Sequence, residues 1–235
     1  MRWNDKATGI QPSVIEQLDF AIDHHAACDN VFFRWVELNK LSTLQLRSYA
    51  PDYFFFIRSF PAILSTLIAN VRDDWSRFFL AQILFSELGS GNEERMHFKL
   101  FARLLSKLGM TEEEINSGPK HEQTKRLVDG MLSLYSDPNP AKALGAQYAL
   151  EKMALPMIEK LYRGFKHYDL SIEDMDYFEL HLVDEPEHLD CMRRCIAAYI
   201  GDSSSEEEVM TGACSLLNLF ADFWKKEYEV IKSQV

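Results

Sequence analysis

Apolar residues along this chain recur at spacings of three and four, and no run alternates with the period of two that a half-buried strand requires. Glycine and proline are scarce and sit where helices would break. Such a chain buries its apolar stripes by packing helix against helix, which predicts an all-α fold. The spacing predicts helices near residues 13–28, 29–40, 43–70, 73–89, 93–108, 121–136, 141–168, 171–200 and 205–232. Ser42 or Thr43 caps the third, and Pro51 and Pro61 are expected to kink or split it. Gly89-Ser90-Gly91-Asn92 is a turn signal, and Ser117-Gly118-Pro119 and Asp137-Pro138-Asn139-Pro140 read as surface loops. Ser171 to Asp174 reads as a helix N-terminus, and Gly201-Asp202 as a helix end. No linker divides the pattern, so one helical domain is expected across residues 1–235.

Charge narrows the partners. The net charge of −11 is spread along the chain, leaving nothing to neutralise the phosphates of nucleic acid or to hold an anionic membrane surface. The most apolar segment, Tyr53 to Val71, is interrupted by Arg58 and Pro61 and does not read as a membrane span. Met1 to Gln11 is polar and lacks the apolar stretch of a signal peptide. The four cysteines (Cys28, Cys191, Cys195, Cys214) form no C-x-x-C pair, and a reduced, cytoplasmic protein is the expectation.

The apolar seams are interrupted by charge. Leu144, Tyr148, Glu151, Leu155, Ile158, Tyr162 and Phe165 form one seam, with Glu151 in its middle. Phe178, His181, Glu185, His188, Met192, Cys195 and Tyr199 form another, and three consecutive positions on it are polar. Pro186 within this segment is expected to distort the helix. Leu80, Leu84 and Glu87 share a face ahead of the Gly89–Asn92 turn, and His97, Phe101, Leu104 and Leu108 share one after it. An ionised carboxylate on an inward face needs a partner, a proton or a metal. One such group is most often a satisfied core residue. Three carboxylates and three imidazoles on four inward faces instead suit two divalent ions, and these are donor types for iron, manganese or zinc.

With those residues in place, the chain resembles the heme-oxygenase-like di-iron oxidases and oxygenases, which share a fold with thiaminase II and pyrroloquinoline-quinone synthase. The telling pieces are Glu87-Leu-Gly-Ser-Gly ahead of His97, the Gly145-Ala-Gln-Tyr-Ala-Leu-Glu151 segment, and His181-x3-Glu185-x2-His188. The resemblance implies six ligands, Glu87, His97, Glu151, His181, Glu185 and His188, holding two irons, the second labile. It further implies a homodimer that activates O2 to oxidise or fragment a small substrate such as an amino acid, amine or fatty acid. One departure stands out: the family carries Asp four residues after the first His of its last motif, where this chain has Glu185, with Asp184 adjacent. The ferritin-like alternative fails, because neither Glu151 nor Glu87 begins a Glu-x-x-His motif.

Other features read more plainly. Cys191 and Cys195 read as small core residues rather than as the nucleophile a thiaminase needs. His24-His25 reads as surface or interface, and His121 and His167 as solvated. Phe54 to Phe56 and Phe78-Phe79 read as core. Tyr148 and Tyr162, on the Glu151 seam, are candidates to contact substrate. Two rival functions remain open: a metal-free enzyme of the thiaminase II or quinone-synthase kind, and an interaction protein whose buried polar cluster sets helix register.

Overall fold

The structure, a computed structural model, describes residues 13–200 and 203–234. The polar segment Met1–Gln11 and the Gly201–Asp202 break lie outside the described residues. The described residues form ten α-helices and no strand: α1 (Val14–Asp23), α2 (Val31–Leu38), α3 (Thr43–Asn70), α4 (Asp74–Glu87), α5 (His97–Lys107), α6 (Glu112–Ile115), α7 (Glu122–Tyr135), α8 (Pro140–Phe165), α9 (Asp176–Tyr199) and α10 (Ser203–Lys232). The all-α expectation holds, and the caps explain several boundaries. Ser42 and Gln45 close a capping box at the start of α3, Ser13 and Glu16 do so for α1, and Pro140 occupies the first turn of α8. The single turn α6 is too short to show a stripe in the sequence, although Thr111 and Glu114 box its start.

α3 continues as one helix through Pro51 and Pro61, so neither proline splits it, and α9 continues through Pro186. At Pro51 the reason is visible. The ring removes the donor that Arg47 carbonyl would have received, and Lys120 Nζ donates to that oxygen instead at 2.6 Å. α3 is long and apolar enough, by length and composition, to cross a membrane, but half of its most apolar window is buried inside the fold.

α8 is the axis of the molecule, packing most extensively on α10 and α9 and also on α2, α7 and α1. Every residue from Ala143 to Glu151 is buried. Close approach to α10 depends on two glycines. A Cβ at Gly145 would sit 2.0 Å from Val209 carbonyl oxygen, and one at Gly212 would sit 1.8 Å from that of Lys142. The backbones touch where side chains would have kept them apart. Beyond them an aromatic cluster, Phe32, Phe33, Tyr49, Tyr53 and Trp224, ties α2, α3 and α10 together, with Phe32 stacked on Trp224 at 5.0 Å.

Phe54 and Phe56 are core as expected, and Phe55 is half-buried. Phe78 is not core: it is 52% exposed and lies with Trp75 and Phe85 along the outer face of α4, while Phe79 is half-buried. Adjacent residues point about 100° apart on a helix, and on α4 the inward face is taken by Ser76, Leu80, Ile83 and Glu87, which turns Phe78 outward.

Gly145→Ala and Gly212→Ala each force two backbones apart, so each should cost about 3 kcal/mol, the upper end for overpacking. For a chain of this size that lowers the midpoint of thermal unfolding by about 6–12 °C. Calorimetry checks it, and an unchanged midpoint would mean that the α8–α10 contact is not tight.

Candidate metal centre

The six polar interruptions predicted on inward faces meet at one place. Glu87 is the last residue of α4 and His97 the first of α5. The turn between them uses three consecutive left-handed residues, Gly89 (φ 86°), Ser90 (53°) and Gly91 (88°). A Cβ at Gly89 would lie 2.3 Å from Asn92 carbonyl oxygen, so only glycine fits there. The helix expected over 93–108 is divided in consequence: Glu93–Arg95 forms a 3-10 turn, Met96 is extended, and α5 begins at His97. That division aims His97 back at Glu87. α9 contributes His181, Glu185 and His188 from one face, and α8 contributes Glu151.

The side chains fall into two triads. Glu87, His97 and His181 form one, and Glu151, Glu185 and His188 the other, with one donor atom per residue lying within 4.8 Å of the others in each. All six are buried, none more than 7% exposed. Asp184, the neighbour that might have replaced Glu185, is half-buried and accepts from Ser86 Oγ at 2.7 Å.

The donors face common points more than they face each other. His97 Nδ1 lies 2.9 Å from Glu87 Oε2, yet neither ring nitrogen of His97 is aligned for a hydrogen bond. His188 Nδ1 lies 3.6 Å from Glu151 Oε2, and Glu185 Oε2 has no partner. His181 Nδ1 lies 2.6 Å from the Tyr177 carbonyl oxygen; it must therefore carry the proton, which leaves Nε2 as a free lone pair. Buried donors without partners are what a metal would satisfy, and carboxylate with imidazole is a donor set for iron. The residues fit such an ion.

Electrostatics agree with that chemistry. Burial and the neighbouring His97 depress His181 to about 4, so its imidazole is neutral at pH 7. Burial and the adjacent Glu151 carboxylate hold Glu185 well above the usual carboxylate range. Burial pushes Glu87 up, but His97 beside it more than offsets this and leaves it below its ordinary value. Burial pushes His188 down, but the Glu151 carboxylate 3.6 Å away outweighs it and raises it.

A supporting layer was not foreseen. Tyr135 hydroxyl donates to Gln147 Oε1, and Gln147 Nε2 donates to Glu151 Oε1. Gln147 stands four residues before Glu151, and Tyr177 four before His181, the helical spacing at which a residue supports a neighbour on the same face. Beside the triads an apolar pocket is lined by Phe56, Ile57, Phe60, Leu150, Met157 and Ile158, with the Tyr53 and Tyr177 hydroxyls 3.1 Å apart on its wall. Tyr148 and Tyr162 are not brought to it. Tyr148 donates to Asp19 at 2.6 Å and Tyr162 to Glu179. α8 is buried nearly all round, so a stripe drawn through its apolar residues cannot say which side faces the site. Cys191 and Cys195 are buried outside the pocket, and burial pushes Cys195 up to about 12, far from a reactive thiolate.

His181 gives a pH signature in metal-free protein. Its folded value of about 4 lies below the ordinary 6.5, so on acidification the unfolded chain takes up this proton first. Stability due to this residue is present above 6.5 and lost as pH falls toward 4. The difference in unfolding free energy between the wild type and His181→Asn should therefore shrink across that window, as urea titrations at several pH values would show. A constant difference would place His181 in contact with solvent.

Four similarities to known proteins bear on this geometry. A family model described as iron-containing redox enzyme matches residues 47–221. The 4-chloro-allylglycine synthase of Streptantibioticus cattleyicolor is 26% identical over 223 residues, covering 94% of this chain and 86% of that protein. The 4-aminobenzoate synthase of Chlamydia pneumoniae is 29% identical over 214 residues, covering 90% and 93%. A protein of unknown function with a heme oxygenase-like fold, from Shewanella denitrificans, superposes with a TM-score of 0.76 at 16% identity, covering 97% and 95%; at that identity it shows the fold alone. The chain belongs to the family of iron-containing redox enzymes and has the heme-oxygenase-like fold.

Proposed function

We propose, with that membership as premise, that this chain is a non-heme di-iron oxidase or oxygenase acting with O2 on a small organic substrate. The observation that carries the reading is the convergence of six buried donors from four helices into two triads beside one apolar pocket. Glu87, His97 and His181 would hold one iron, and Glu151, Glu185 and His188 the other. Ferrous iron, when bound, supplies the electrons for reducing O2. The relatives are synthases of a chlorinated allylglycine and of an aminobenzoate, both small amino-bearing carboxylic acids, and we take the substrate to belong to that class.

The chain's own residues prepare the site. The Tyr177 carbonyl fixes the His181 tautomer, and Gln147 fixes the Glu151 carboxylate. Phe56, Phe60, Met157 and Ile158 exclude water and receive the apolar part of the substrate. Burial holds the Tyr53 and Tyr177 phenols above the usual value, so both stay protonated; one donates to the other, and the remaining O–H can donate to a substrate oxygen. No Lys or Arg is among the residues lining this pocket, so the end of the substrate that reaches the triads is uncharged or positive.

Anaerobic loading with ferrous ion should give two irons per chain, and His97→Ala and Glu185→Ala about one each, with the helical circular dichroism retained. Loaded wild type should then consume O2. Less than one tightly held iron in the wild type would sink the reading. Because Glu185 holds a proton that the metal must displace, loading should release protons and weaken as pH falls. Calorimetry in two buffers of different ionisation enthalpy measures that release, and loading that gives up no protons to the buffer would count against Glu185 as ligand.

We further propose that the exposed stripe of Trp75, Phe78 and Phe85 on α4 packs against a second copy of the chain. Sedimentation should show a dimer that Phe78→Glu converts to monomer. A monomeric wild type would dismiss it.

A further inference from the structure

A third group of donor side chains lies away from the two triads, where α3, α7 and α10 meet. Asp52 on α3 and Glu227 on α10 are fully buried, and His121, at the start of α7, is partly buried, not solvated as its loop position suggested. One donor atom from each lies within 4.8 Å of the others. Asp52 Oδ1 already has three donors: the His121 N–H at 3.1 Å, the Lys120 N–H at 2.9 Å and Thr124 Oγ1 at 2.5 Å. Through them it caps α7, whose own first residue provides no side-chain cap. The remaining atoms are orphaned. Asp52 Oδ2, His121 Nε2 and both oxygens of Glu227 are buried without a hydrogen-bond partner. Neither carboxylate pairs with Lys or Arg among the described residues. Lys120 Nζ is engaged by Arg47 carbonyl at 2.6 Å, and Lys226 Nζ lies toward Glu229 at 3.9 Å.

We propose that Asp52, His121 and Glu227 are a third metal site, holding one divalent first-row cation such as zinc or manganese and fastening α3, α7 and α10 together. Two carboxylates and one imidazole suit such an ion, and its charge of two matches theirs. Bonds of about 2.0–2.2 Å to a common centre set donors about 3–4 Å apart, and the observed span needs only a small contraction to reach that. Asp52 would use its free oxygen for the ion while the other continues to cap α7. Without the ion, burial and the Asp52 charge push Glu227 up to about 9, so a proton is the competing occupant. The ion would also steady the pocket wall, since Tyr53 follows Asp52 directly on α3. This site shares no residue with the two triads, and its test is read separately from theirs.

The test is diffraction at the manganese and zinc absorption edges from crystals of the full chain grown with about equimolar-to-tenfold metal. The expected result is an anomalous peak bonded to Asp52, His121 and Glu227, absent from Glu227→Gln crystals. The glutamine is the neutral isostere of the protonated acid, so the variant should fold. In parallel, zinc or manganese at micromolar concentration should raise the unfolding midpoint of the wild type by several degrees more than that of Glu227→Gln. No peak at this position, a bridging water in its place, a peak that appears only with metal beyond tenfold excess over protein, or an equal shift in both proteins would each overturn the proposal, whether or not the triads are filled.

Discussion

Six ionisable side chains buried in a helical core are the constraint on which this structure turns. Each carboxylate removed from water costs several kcal/mol unless a proton, a partner or a cation meets it. Within the protein the cost is only partly offset: Glu87 is balanced by His97, whereas burial and the Glu151 charge hold Glu185 well above the usual carboxylate range. An arrangement so unfavourable in itself persists because the surrounding helices hold it. The clasp of Gly145 on Val209 seats α8, and the left-handed turn at Gly89 closes α4 onto α5. Stability is lent by the scaffold to a site that does not supply its own.

Much of this was legible in the sequence because helices advertise themselves twice. Their period places the apolar stripe, and a charge on that stripe is conspicuous. α9 shows the method at its best: only part of its surface is buried, so His181, Glu185 and His188 stood out as inward on a well-defined face. α8 shows where it stops. Buried on nearly every side, it offers no polar face against which to orient, and Tyr148 and Tyr162 were placed toward a cavity that Leu150, Ala154 and Met157 line instead. The continuity of α3 at Pro51 was hidden for a related reason. The local rule foresees the missing donor but not the distant lysine that replaces it at Arg47 carbonyl.

What the sequence hid most completely was the set of groups that act through others. Gln147 and Tyr135 belong to different helices and meet only in the fold, and nothing in either segment marks them as a relay to Glu151. The pairing of Ser86 with Asp184 is equally silent in sequence, yet it turns aside the carboxylate that competes with Glu185 for the inward position. His121 is the reverse case. A loop position argued for solvent, and the packing of α10 over α7 overruled it.

α9 deserves a last consequence, since it is common to both triads: His181 serves one, Glu185 and His188 the other. Two sites built on a shared rigid rod are not thermodynamically separate. Whatever ordering of the rod the first occupant requires is already in place for the second, which lowers the entropic cost of the later event. Were each triad to hold an ion, the filling of one would be coupled through α9 to the filling of the other.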